Sequence, residues 1–328
     1  MEKDFDLSRF DKTDDVTGQY ERQIRRLQAG KKEVVCIEHA VRGAIDNLRN
    51  DAGRSFVIYG EPQSGKTEMM ICLTAKLIDE GYDFVLHLLN DSVDLLGQNL
   101  GRFKTSGLSP AARNYTEIMD AAVKIKGQQH VVFCKKNGAD LRKLYDKIGN
   151  LKRIVIIDDE ADYASPNAKV NAGTRTAINE LIHKLLGTTG IYIGVTATPA
   201  RLDLNNTFDN DSDIWVNFPT HSKYTGQDHF FPLDGPIKYR RTLLPDSGSD
   251  PKHTRQALFS FLVNVAYLNN YVHAETDEQN YSFLVHTSGK KADHKTDWKI
   301  IQDTFDALVS QDGANYASYT KSIWDTAK

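Results

Sequence analysis

Apolar residues along this chain recur in two patterns, short continuous runs and longer repeats at helical spacing. The continuous runs predict buried β-strands, because a strand covered on both faces has no side that must be polar. The repeats predict helices that bury one face. Strands that alternate with helices indicate an α/β fold, a parallel sheet with helices on both faces. The predicted strands are residues 55–59, 84–89, 130–134, 153–157 and 191–195.

The pattern also divides the chain into regions. Residues 203–255 are rich in Asn, Asp, Pro, Gly and Ser, which predicts an irregular insertion or linker. A helix, a strand at residues 281–286 and another helix follow, and they predict the start of a second α/β lobe. The predicted helices are residues 20–27, 34–49, 66–79, 112–122, 141–148, 174–186, 256–268 and 298–308. The predicted regions are an N-terminal helical extension (1–50), a first lobe (51–202), the insertion (203–255) and a partial second lobe (256–328).

Composition adds little to this picture. Hydrophobic residues make up 40% of the chain and charged residues 26%, which is typical of a soluble globular protein. No stretch approaches the roughly 18 apolar residues of a membrane span. The acidic N-terminus is unlike a secretory signal, so we expect a cytoplasmic protein without a membrane partner. Cys36, Cys72 and Cys134 lack a metal-type spacing and are expected to be buried free thiols.

The first chemical motif follows the first predicted strand. Residues 60–67 read Gly-Glu-Pro-Gln-Ser-Gly-Lys-Thr and match the pattern GxxxxGK followed by Ser or Thr. Such a loop wraps phosphate groups with backbone N–H groups at the start of a helix. Lys66 is expected to reach the β- and γ-phosphates of a nucleotide, and the Thr67 hydroxyl to bind Mg²⁺. The predicted binding residues are Gly60, Gln63, Ser64, Gly65, Lys66, Thr67 and Glu68.

A second motif follows the fourth predicted strand, where residues 158–162 read Asp-Asp-Glu-Ala-Asp. Ligands of open parallel sheets bind at the carboxyl ends of the strands, so these carboxylates are expected to face residues 60–67. Asp159 is predicted to hold the metal and Glu160 to polarise an attacking water. Asp158 is the alternative metal ligand. It is less favoured because Asp159 begins the Asp-Glu-Ala-Asp quartet.

The quartet at 159–162 and Thr-Ala-Thr-Pro at 196–199 resemble motifs II and III of superfamily-2 helicases and translocases. The Thr-Ala-Thr-Pro version resembles the motors of restriction enzymes more than DEAD-box RNA helicases. The resemblance implies a RecA-like P-loop NTPase lobe that hydrolyses ATP with Mg²⁺. It also implies that Thr196 and Thr198 couple the γ-phosphate site to a nucleic-acid surface. A polar cap at the end of a strand is the alternative role for both threonines.

A narrower resemblance is to the Z-one-domain family of endonucleases, which occurs in bacterial and phage-defence settings. It covers residues 55–205 and, more loosely, 255–290. No nuclease cluster is evident, so the resemblance implies a nuclease in another domain or a partner subunit. The matching segments are 63–67 (Gln-Ser-Gly-Lys-Thr), 135–137 (Lys-Lys-Asn), the quartet with Ala164, Ser165 and Asn167, 192–199, and 284–288 (Leu-Val-His-Thr-Ser).

Charge is distributed unevenly along the chain. The net charge is −3, yet residues 101–153 contain twelve Lys and Arg against four Asp and Glu. Superfamily-2 proteins contact nucleic acid through loops between motifs I and II, which include this segment. The resemblance therefore implies phosphate contacts with nucleic acid, and DNA is the favoured partner. Solvated helix faces are the alternative. The candidate contacts are Lys104, Arg113, Lys135 and Lys136.

Two smaller assignments stay open at this stage. Gln23 or Gln28 could recognise adenine, as a glutamine upstream of the loop does in many superfamily-2 proteins, or either could be an ordinary exposed residue. The aromatic residues of the insertion could stack on bases, although packing the insertion onto the lobe is favoured. These residues are Phe208, Trp215, Phe218, Tyr224, Phe230 and Phe231.

Together these observations predict an ATP-dependent helicase or translocase motor of a restriction or phage-defence system. The alternative is a non-translocating P-loop ATPase whose nucleotide state gates a partner protein. A third possibility is a lobe that binds nucleotide without hydrolysing it, because the arginine expected from a complete second lobe is missing.

Overall fold

The computed structural model of the 328-residue chain divides into two compact units, residues 1–233 and residues 234–328. The first unit contains a large sheet, and the described part of the second unit is helical. The described residues are 17–50, 54–149, 151–162, 176–198, 214–232, 234–236, 251–285, 291–311 and 313–328.

A seven-stranded sheet forms the centre of the first unit. Its strands are β1 (Ser55–Gly60), β2 (Phe84–Leu89), β3 (Arg113–Asn114), β4 (His130–Lys135), β5 (Ile154–Asp159), β6 (Ile191–Thr196) and β7 (Val216–Phe218). Their order across the sheet is β3-β4-β2-β5-β6-β1-β7, and all neighbours pair in parallel. All five strands that the apolar runs predicted are present, and two short strands extend the edges.

Side chains of the strands alternate between two hydrophobic cores, because successive residues of a strand point to opposite faces. In β2, Val85 and Leu89 lie in one core and Leu86 and Leu88 in the other. The first core is covered by α1 (Gln19–Ala29), α2 (Val35–Arg49), α3 (Lys66–Asp79) and α4 (Val93–Thr105). The second core is covered by α5 (Gly138–Ile148) and α6 (Ala177–Leu186). The predicted parallel sheet with helices on both faces is confirmed.

The two N-terminal helices belong to this unit and do not form a separate extension. Ile24 and Leu27 of α1 are buried in the same core as α3. Asp79, at the end of α3, accepts hydrogen bonds from the backbone N–H groups of Gln19 and Tyr20, each at 2.9 Å. A carboxylate at the N-terminus of α1 accepts hydrogen bonds from N–H groups that have no partner within the helix, and it interacts favourably with the helix dipole. The predicted boundary at residue 50 therefore lies inside the first unit and does not separate two units.

Part of the predicted insertion, residues 203–255, also belongs to the sheet. β7 pairs with β1, so that Ile58 lies opposite Val216 and Gly60 opposite Phe218. A strand of three residues is too short to leave a periodic pattern in the sequence. The division between the two units falls at residue 233, inside the predicted insertion.

The segment between β2 and β4 differs most from the sequence prediction. Helix α4 had no predicted counterpart, because Gly97 and Gly101 weaken its helical character. The helix predicted at residues 112–122 is wrong, since β3 and one 3₁₀ turn, Tyr115–Ile118, take its place. The side chain of Asn114 caps that turn. Local bonds of this kind compete with a longer helix.

The described part of the second unit consists of helices Lys252–Tyr267, Lys291–Ser310 and Gly313–Ala327, with a π-helical turn after the first. The strand predicted at residues 281–286 is not formed by residues 281–285, and His286 lies outside the described residues, as do residues 287 and 288. An isolated strand has no neighbour to complete its backbone hydrogen bonds. The described residues therefore show no second α/β lobe.

Two further sequence expectations can be compared with the structure. All three cysteines are buried and free, as predicted, and burial raises the pKa of Cys72 to about 12. Among the helices that the structure describes, none is both long and apolar enough to cross a membrane.

Candidate active site

Three segments of the first unit meet at one edge of the sheet. They follow β5, β6 and β1, which are neighbours in that order. Strand pairing places Asp159 beside Val195, and Tyr59 beside Thr196. Parallel neighbours end at the same edge, where α/β proteins bind their ligands. Below, residues 60–67 are called the glycine loop and residues 158–162 the acidic tip.

The glycine loop and the acidic tip line the same open cavity, of about 790 Å³. The sequence analysis expected the two segments, which are about ninety residues apart in sequence, to face each other. Its polar lining includes Lys66, Thr67, Asp159, Glu160, Asp162 and Thr198.

The glycine loop makes a sharp turn between β1 and α3. Gly65, directly before α3, has a φ of 95°, a conformation that favours glycine. A Cβ atom there would meet nothing within 4 Å, so backbone conformation rather than space favours glycine. At Gly60 the reason is different, because a Cβ atom would lie 2.7 Å from the ring of Phe218. The two glycines therefore meet separate requirements of one turn.

Lys66 is the cation of the glycine loop. Its Nζ donates hydrogen bonds to the carbonyls of Gly60 and Glu61, at 3.1 and 2.8 Å. Burial lowers the pKa of Lys66 below its usual value, although the carboxylates of Asp159 and Glu160 act in the opposite direction. A phosphate group in the cavity would supply a counter-charge and strong acceptors for this ammonium.

Thr67 is the last residue of the glycine loop, and its hydroxyl contacts α4. Its hydroxyl is 3.4 Å from Asn99 Oδ1, and Arg102 Nη1 is 3.4 Å from the same hydroxyl. Both contacts are long, so the hydroxyl is not committed to a strong partner. Arg102 also lines the large cavity and adds a second cation to it. Sequence reasoning missed this residue because it missed α4.

Glu68 lines the large cavity, so its predicted part in binding stays a prediction, and it is also held by two cations. Its carboxylate forms ion pairs with Arg26 at 2.6 Å and Lys32 at 3.0 Å. Burial alone would raise the pKa of Glu68, but these two hydrogen-bonded cations lower it overall. Glu68 therefore ties α3 to α1 and to the residues that follow α1.

A second cavity, of about 360 Å³, adjoins the glycine loop. Glu33 and Ser222 form part of its wall, and the backbone N–H and hydroxyl of Ser222 donate to Glu33 Oε2 at 3.0 and 2.6 Å. The Tyr224 hydroxyl donates to the Pro62 carbonyl at 2.6 Å. The segment after β7 thus packs onto the glycine loop, which no sequence pattern indicated. The apolar part of the wall consists of Cys36, Ile37 and Phe218.

The aromatic residues of the predicted insertion divide into two groups. Phe218 is buried in the core and Trp215 packs against Val57, as the packing interpretation predicted. Phe230 and Phe231 are exposed. Phe208 lies outside the described residues.

Neither upstream glutamine is placed to recognise adenine. Gln23 is buried, and its amide donates to the Ser106 carbonyl and accepts from Arg26, each at 2.8 Å. Gln28 is exposed, and neither glutamine lines the two cavities beside the glycine loop in the described structure. The proposed adenine contact is wrong for Gln23 because a buried amide with both ends bonded is a packing element.

The acidic tip buries one carboxylate, and its other three acidic residues line the large cavity. Asp158 is fully buried, where the Tyr192 hydroxyl donates to its Oδ2 at 2.7 Å and Lys136 Nζ lies 3.0 Å from its Oδ1. Asp159 and Glu160 line the large cavity. Of the two alternative metal ligands, only Asp159 therefore faces the cavity.

The electrostatics of Asp159 suit a cation. Burial, followed by the charge of Glu160, raises the pKa of Asp159 to about 6. A nearby cation would favour the ionised form. No group of three or more His, Cys, Asp or Glu side chains could hold a metal within the described ranges. Mg²⁺ commonly binds one or two carboxylates together with phosphate oxygens, so Asp159 and Thr67 fit Mg²⁺ bound to a triphosphate.

Glu160 has an unusual backbone conformation. Its φ is 53°, in the left-handed region that residues with side chains rarely adopt. Its carboxylate accepts a hydrogen bond from Asn90, which directly follows β2. Its backbone N–H donates to Asp159 Oδ1 at 3.1 Å. Asn90 was not predicted, because an isolated asparagine after a strand carries no motif.

The two predicted threonines join the end of β6 to the acidic tip. The hydroxyls of Thr196 and Thr198 donate to the two carboxylate oxygens of Asp162, at 2.7 and 2.6 Å. Thr196 is fully buried, whereas Thr198 lines the large cavity. These two hydrogen bonds therefore tie the end of β6 and the residues after it to the acidic tip. Pro199 and the residues Ala164, Ser165 and Asn167 lie outside the described part of the chain.

The four candidate nucleic-acid contacts are placed differently from one another. Arg113 is exposed on β3. Lys104 forms a surface ion pair with Glu117 at 3.1 Å, and Lys135 forms one with Asp91 at 2.8 Å. Lys136 has no exposed side-chain surface. The predicted phosphate contact of Lys136 is therefore corrected, because a buried ammonium that is bonded inside the protein cannot reach a nucleic acid.

A family model matches this chain, and solved structures are similar to it. The family model of the SWI2/SNF2 ATPase matches residues 38–216. No curated protein matches significantly. A similar solved structure is the Sulfolobus solfataricus SWI2/SNF2 ATPase core in complex with dsDNA. It is 14% identical with a TM-score of 0.34, over 50% of this chain and 32% of that chain.

A second similar structure is a nuclease-deletion mutant of the Type ISP restriction-modification enzyme LlaGI in complex with a DNA substrate mimic. It is 14% identical with a TM-score of 0.38, over 88% of this chain and 29% of that chain. The chain thus matches about a third of the length of each structure.

The family match covers more than half of the chain and contains both the glycine loop and the acidic tip. It confirms the prediction of an ATP-hydrolysing enzyme, while the narrower resemblance to the Z-one-domain family stays a prediction. With these motifs at one edge of a parallel sheet, the chain belongs to the SWI2/SNF2 ATPase family.

Proposed function

We propose that this chain is a DNA-stimulated motor that hydrolyses ATP with Mg²⁺ in the large cavity. The observation that carries the proposal is the convergence of Lys66, Thr67, Asp159 and Glu160 on one cavity. Phosphoryl transfer needs these groups to position the triphosphate, hold its metal and orient the attacking water.

Each of these residues has a separate role in the proposed reaction. The glycine loop and Lys66 bind the β- and γ-phosphates. Thr67 and Asp159 would hold Mg²⁺, which neutralises negative charge on the phosphates when it is bound. Glu160 orients the attacking water and takes up its proton. Asn90 holds the Glu160 carboxylate in place.

The second cavity offers a place for the nucleotide base. It adjoins the glycine loop and combines the apolar side chains of Ile37 and Phe218 with the polar pair of Glu33 and Ser222. Pockets that bind small molecules have this character, mostly apolar with a few polar groups that fix orientation.

Three features support DNA as the stimulating partner. Residues 101–153 contain twelve Lys and Arg against four Asp and Glu, and Arg113 is exposed. Surface ion pairs such as those of Lys104 and Lys135 are weak, so these lysines can exchange their partners for phosphate groups. The Thr-Ala-Thr-Pro segment resembles restriction-enzyme motors, which also supports a role in restriction or phage defence.

The test is to measure ATP hydrolysis by the wild type and by Glu160→Gln. Loss of a general base lowers the rate by about 10² to 10⁴-fold, and ATP binding should persist because the glycine loop is unchanged. Glu21→Gln, an exposed residue of α1, is the matched control with expected wild-type turnover. Wild-type turnover in Glu160→Gln would refute the assigned role.

The same assay with and without single- and double-stranded DNA tests the motor. Hydrolysis is expected to rise with DNA, and this stimulation should fall as salt increases. Hydrolysis that responds to neither form of DNA would instead favour the alternative, an ATPase that gates a partner protein.

A further inference from the structure

Lys136 is a buried lysine next to the acidic tip. It follows β4, which is separated from β5 by β2 in the sheet. Its backbone N–H donates to the Leu89 carbonyl, at the end of β2, at 2.7 Å. Its side chain therefore passes the end of β2 and reaches the end of β5, with no surface exposed to solvent.

Three groups of the acidic tip surround the ammonium of Lys136. Nζ donates to the carbonyls of Asp159 and Glu160 at 2.9 and 2.8 Å, and lies 3.0 Å from Asp158 Oδ1. A lysine ammonium has three donors, and each has an acceptor within reach here. A buried ammonium is destabilising unless its charge and its donors are satisfied. Every one of these acceptors belongs to the acidic tip.

Two of these contacts are made with the backbone carbonyls of Asp159 and Glu160, the residues proposed to hold the metal and orient the attacking water. Glu160 adopts a φ of 53°, which needs support from its surroundings. Lys136 holds the carbonyls on the β4 side, and the Ala161 N–H donates to the Val195 carbonyl on the β6 side at 3.1 Å. The turn is thus fixed from two sides while the side chains of Asp159 and Glu160 remain in the large cavity.

We propose that Lys136 is a positioning residue for ATP hydrolysis, because it holds the turn that aims Asp159 at the metal and Glu160 at the attacking water. The inference rests on the proposed function of this cavity. Neutralising Asp158 would account for only one of the three contacts, whereas the other two join the ammonium to the backbone of the turn.

A double variant, Lys136→Met with Asp158→Asn, separates positioning from charge neutralisation. Lys136→Met alone would leave the buried Asp158 without a counter-charge and could unfold the protein. The double variant removes both charges and leaves the two carbonyls without the ammonium. Asp158→Asn alone also leaves a buried charge without its partner, but the ammonium keeps its two carbonyl acceptors, so this variant is compared in its folded state. Lys136→Gln in the Asp158→Asn background is a second variant that retains an amide donor.

Lys147→Met is the matched control. Lys147 Nζ also donates to a backbone carbonyl, that of Asp120 at 2.8 Å, but it lies on a partly exposed part of α5. Thermal unfolding of every variant shows which of them are folded. Titration with a fluorescent ATP analogue, in EDTA and in Mg²⁺, then measures the metal-dependent gain in affinity, and a turnover assay gives kcat and KM.

The double variant is expected to bind the analogue in EDTA like the wild type, because the glycine loop is unchanged. The gain in affinity on adding Mg²⁺ should fall by about tenfold, and kcat by about 10²-fold with little change in KM, as for a misplacement of about 1 Å. Asp158→Asn alone and Lys147→Met should keep most of both properties. The Lys136→Gln double variant should lie between these results.

Two outcomes would overturn the inference and leave the proposed function standing. One is a folded double variant with wild-type Mg²⁺ dependence and kcat. The other is a folded Asp158→Asn variant that loses as much as the double variant, which would show that the charge pair alone matters. A wild type that neither binds the analogue nor hydrolyses ATP would overturn the inference and the proposed function together.

Discussion

The glycine loop and the acidic tip face the same cavity but are held in shape in different ways. Within the glycine loop, Lys66 donates to the carbonyls of residues 60 and 61, and from outside the loop the Tyr224 hydroxyl donates to the Pro62 carbonyl. The acidic tip depends on distant segments, through Asn90 after β2, Lys136 after β4 and Thr196 at the end of β6. The conformation of the glycine loop is therefore set in part by hydrogen bonds between its own residues. The conformation of the acidic tip is set by residues of neighbouring strands.

The largest effect that we expect is a loss of ATP affinity when the glycine loop is changed. Lys66→Ala removes charge-assisted hydrogen bonds to phosphate, each contributing about 1.5 to 3 kcal/mol, so ATP affinity should fall by about 10²-fold. Lys76→Ala is the control, because Lys76 lies on the same helix and pairs with Glu80. Titration with a fluorescent ATP analogue measures both variants. An affinity for the Lys66 variant close to that of the wild type would break the comparison.

A smaller effect is expected from the support of the acidic tip. Thr196→Val removes a buried hydroxyl that donates to the Asp162 carboxylate at 2.7 Å, and a hydrogen bond to a charged group contributes about 1.5 to 3 kcal/mol. We expect kcat to fall by about tenfold while ATP affinity stays unchanged, because the glycine loop is intact. Turnover kinetics and analogue titration separate the two quantities.

The control for this substitution is Thr74→Val. Thr74 is also fully buried, and its hydroxyl donates to the Met70 carbonyl at 2.7 Å inside α3. This variant should lose stability without a specific loss of kcat. If Thr196→Val lowered affinity and kcat in parallel, the two parts of the site would not be separable.

The smallest effect is expected from the backbone of the glycine loop. Gly65→Ala places a side chain at a φ of 95°, which disfavours the loop conformation by about 1 kcal/mol and should weaken ATP binding about fivefold. Gly127→Ala, at a φ of 79° and equally free of contacts, is the control. It should lower the unfolding temperature to a similar extent and leave ATP affinity unchanged. Equal losses of affinity in both variants would indicate a general loss of stability.

The same contrast explains which parts of the site were predictable. The glycine loop was predictable, because its residue types and their order are sufficient to indicate a turn before a helix. The placement of Asp159 and Glu160 at the cavity was also predictable, because they lie at the end of an apolar strand. Asn90 and Arg102 were not, since neither belongs to a motif and Arg102 lies on the unpredicted α4.

Lys136 shows that the net charge of a segment does not reveal which of its charged side chains are exposed. Counting Lys and Arg over residues 101–153 treats every charge as exposed, yet Lys136 is buried against Asp158. The sheet order that places β4 two strands from β5 is a property of the whole fold. No local pattern could have indicated that these two residues meet.

The hydrogen bonds between Ser222 and Glu33 set the limits of a usable fragment of this protein. Glu33 comes before the first strand in sequence and Ser222 after the last, so the wall beside the glycine loop is assembled from both ends of the sheet-forming chain. A shortened protein that starts after residue 33 or stops before residue 222 would keep the glycine loop, the acidic tip and residues 196–199. It would still lose this wall, so expression boundaries chosen from motifs alone would be too narrow.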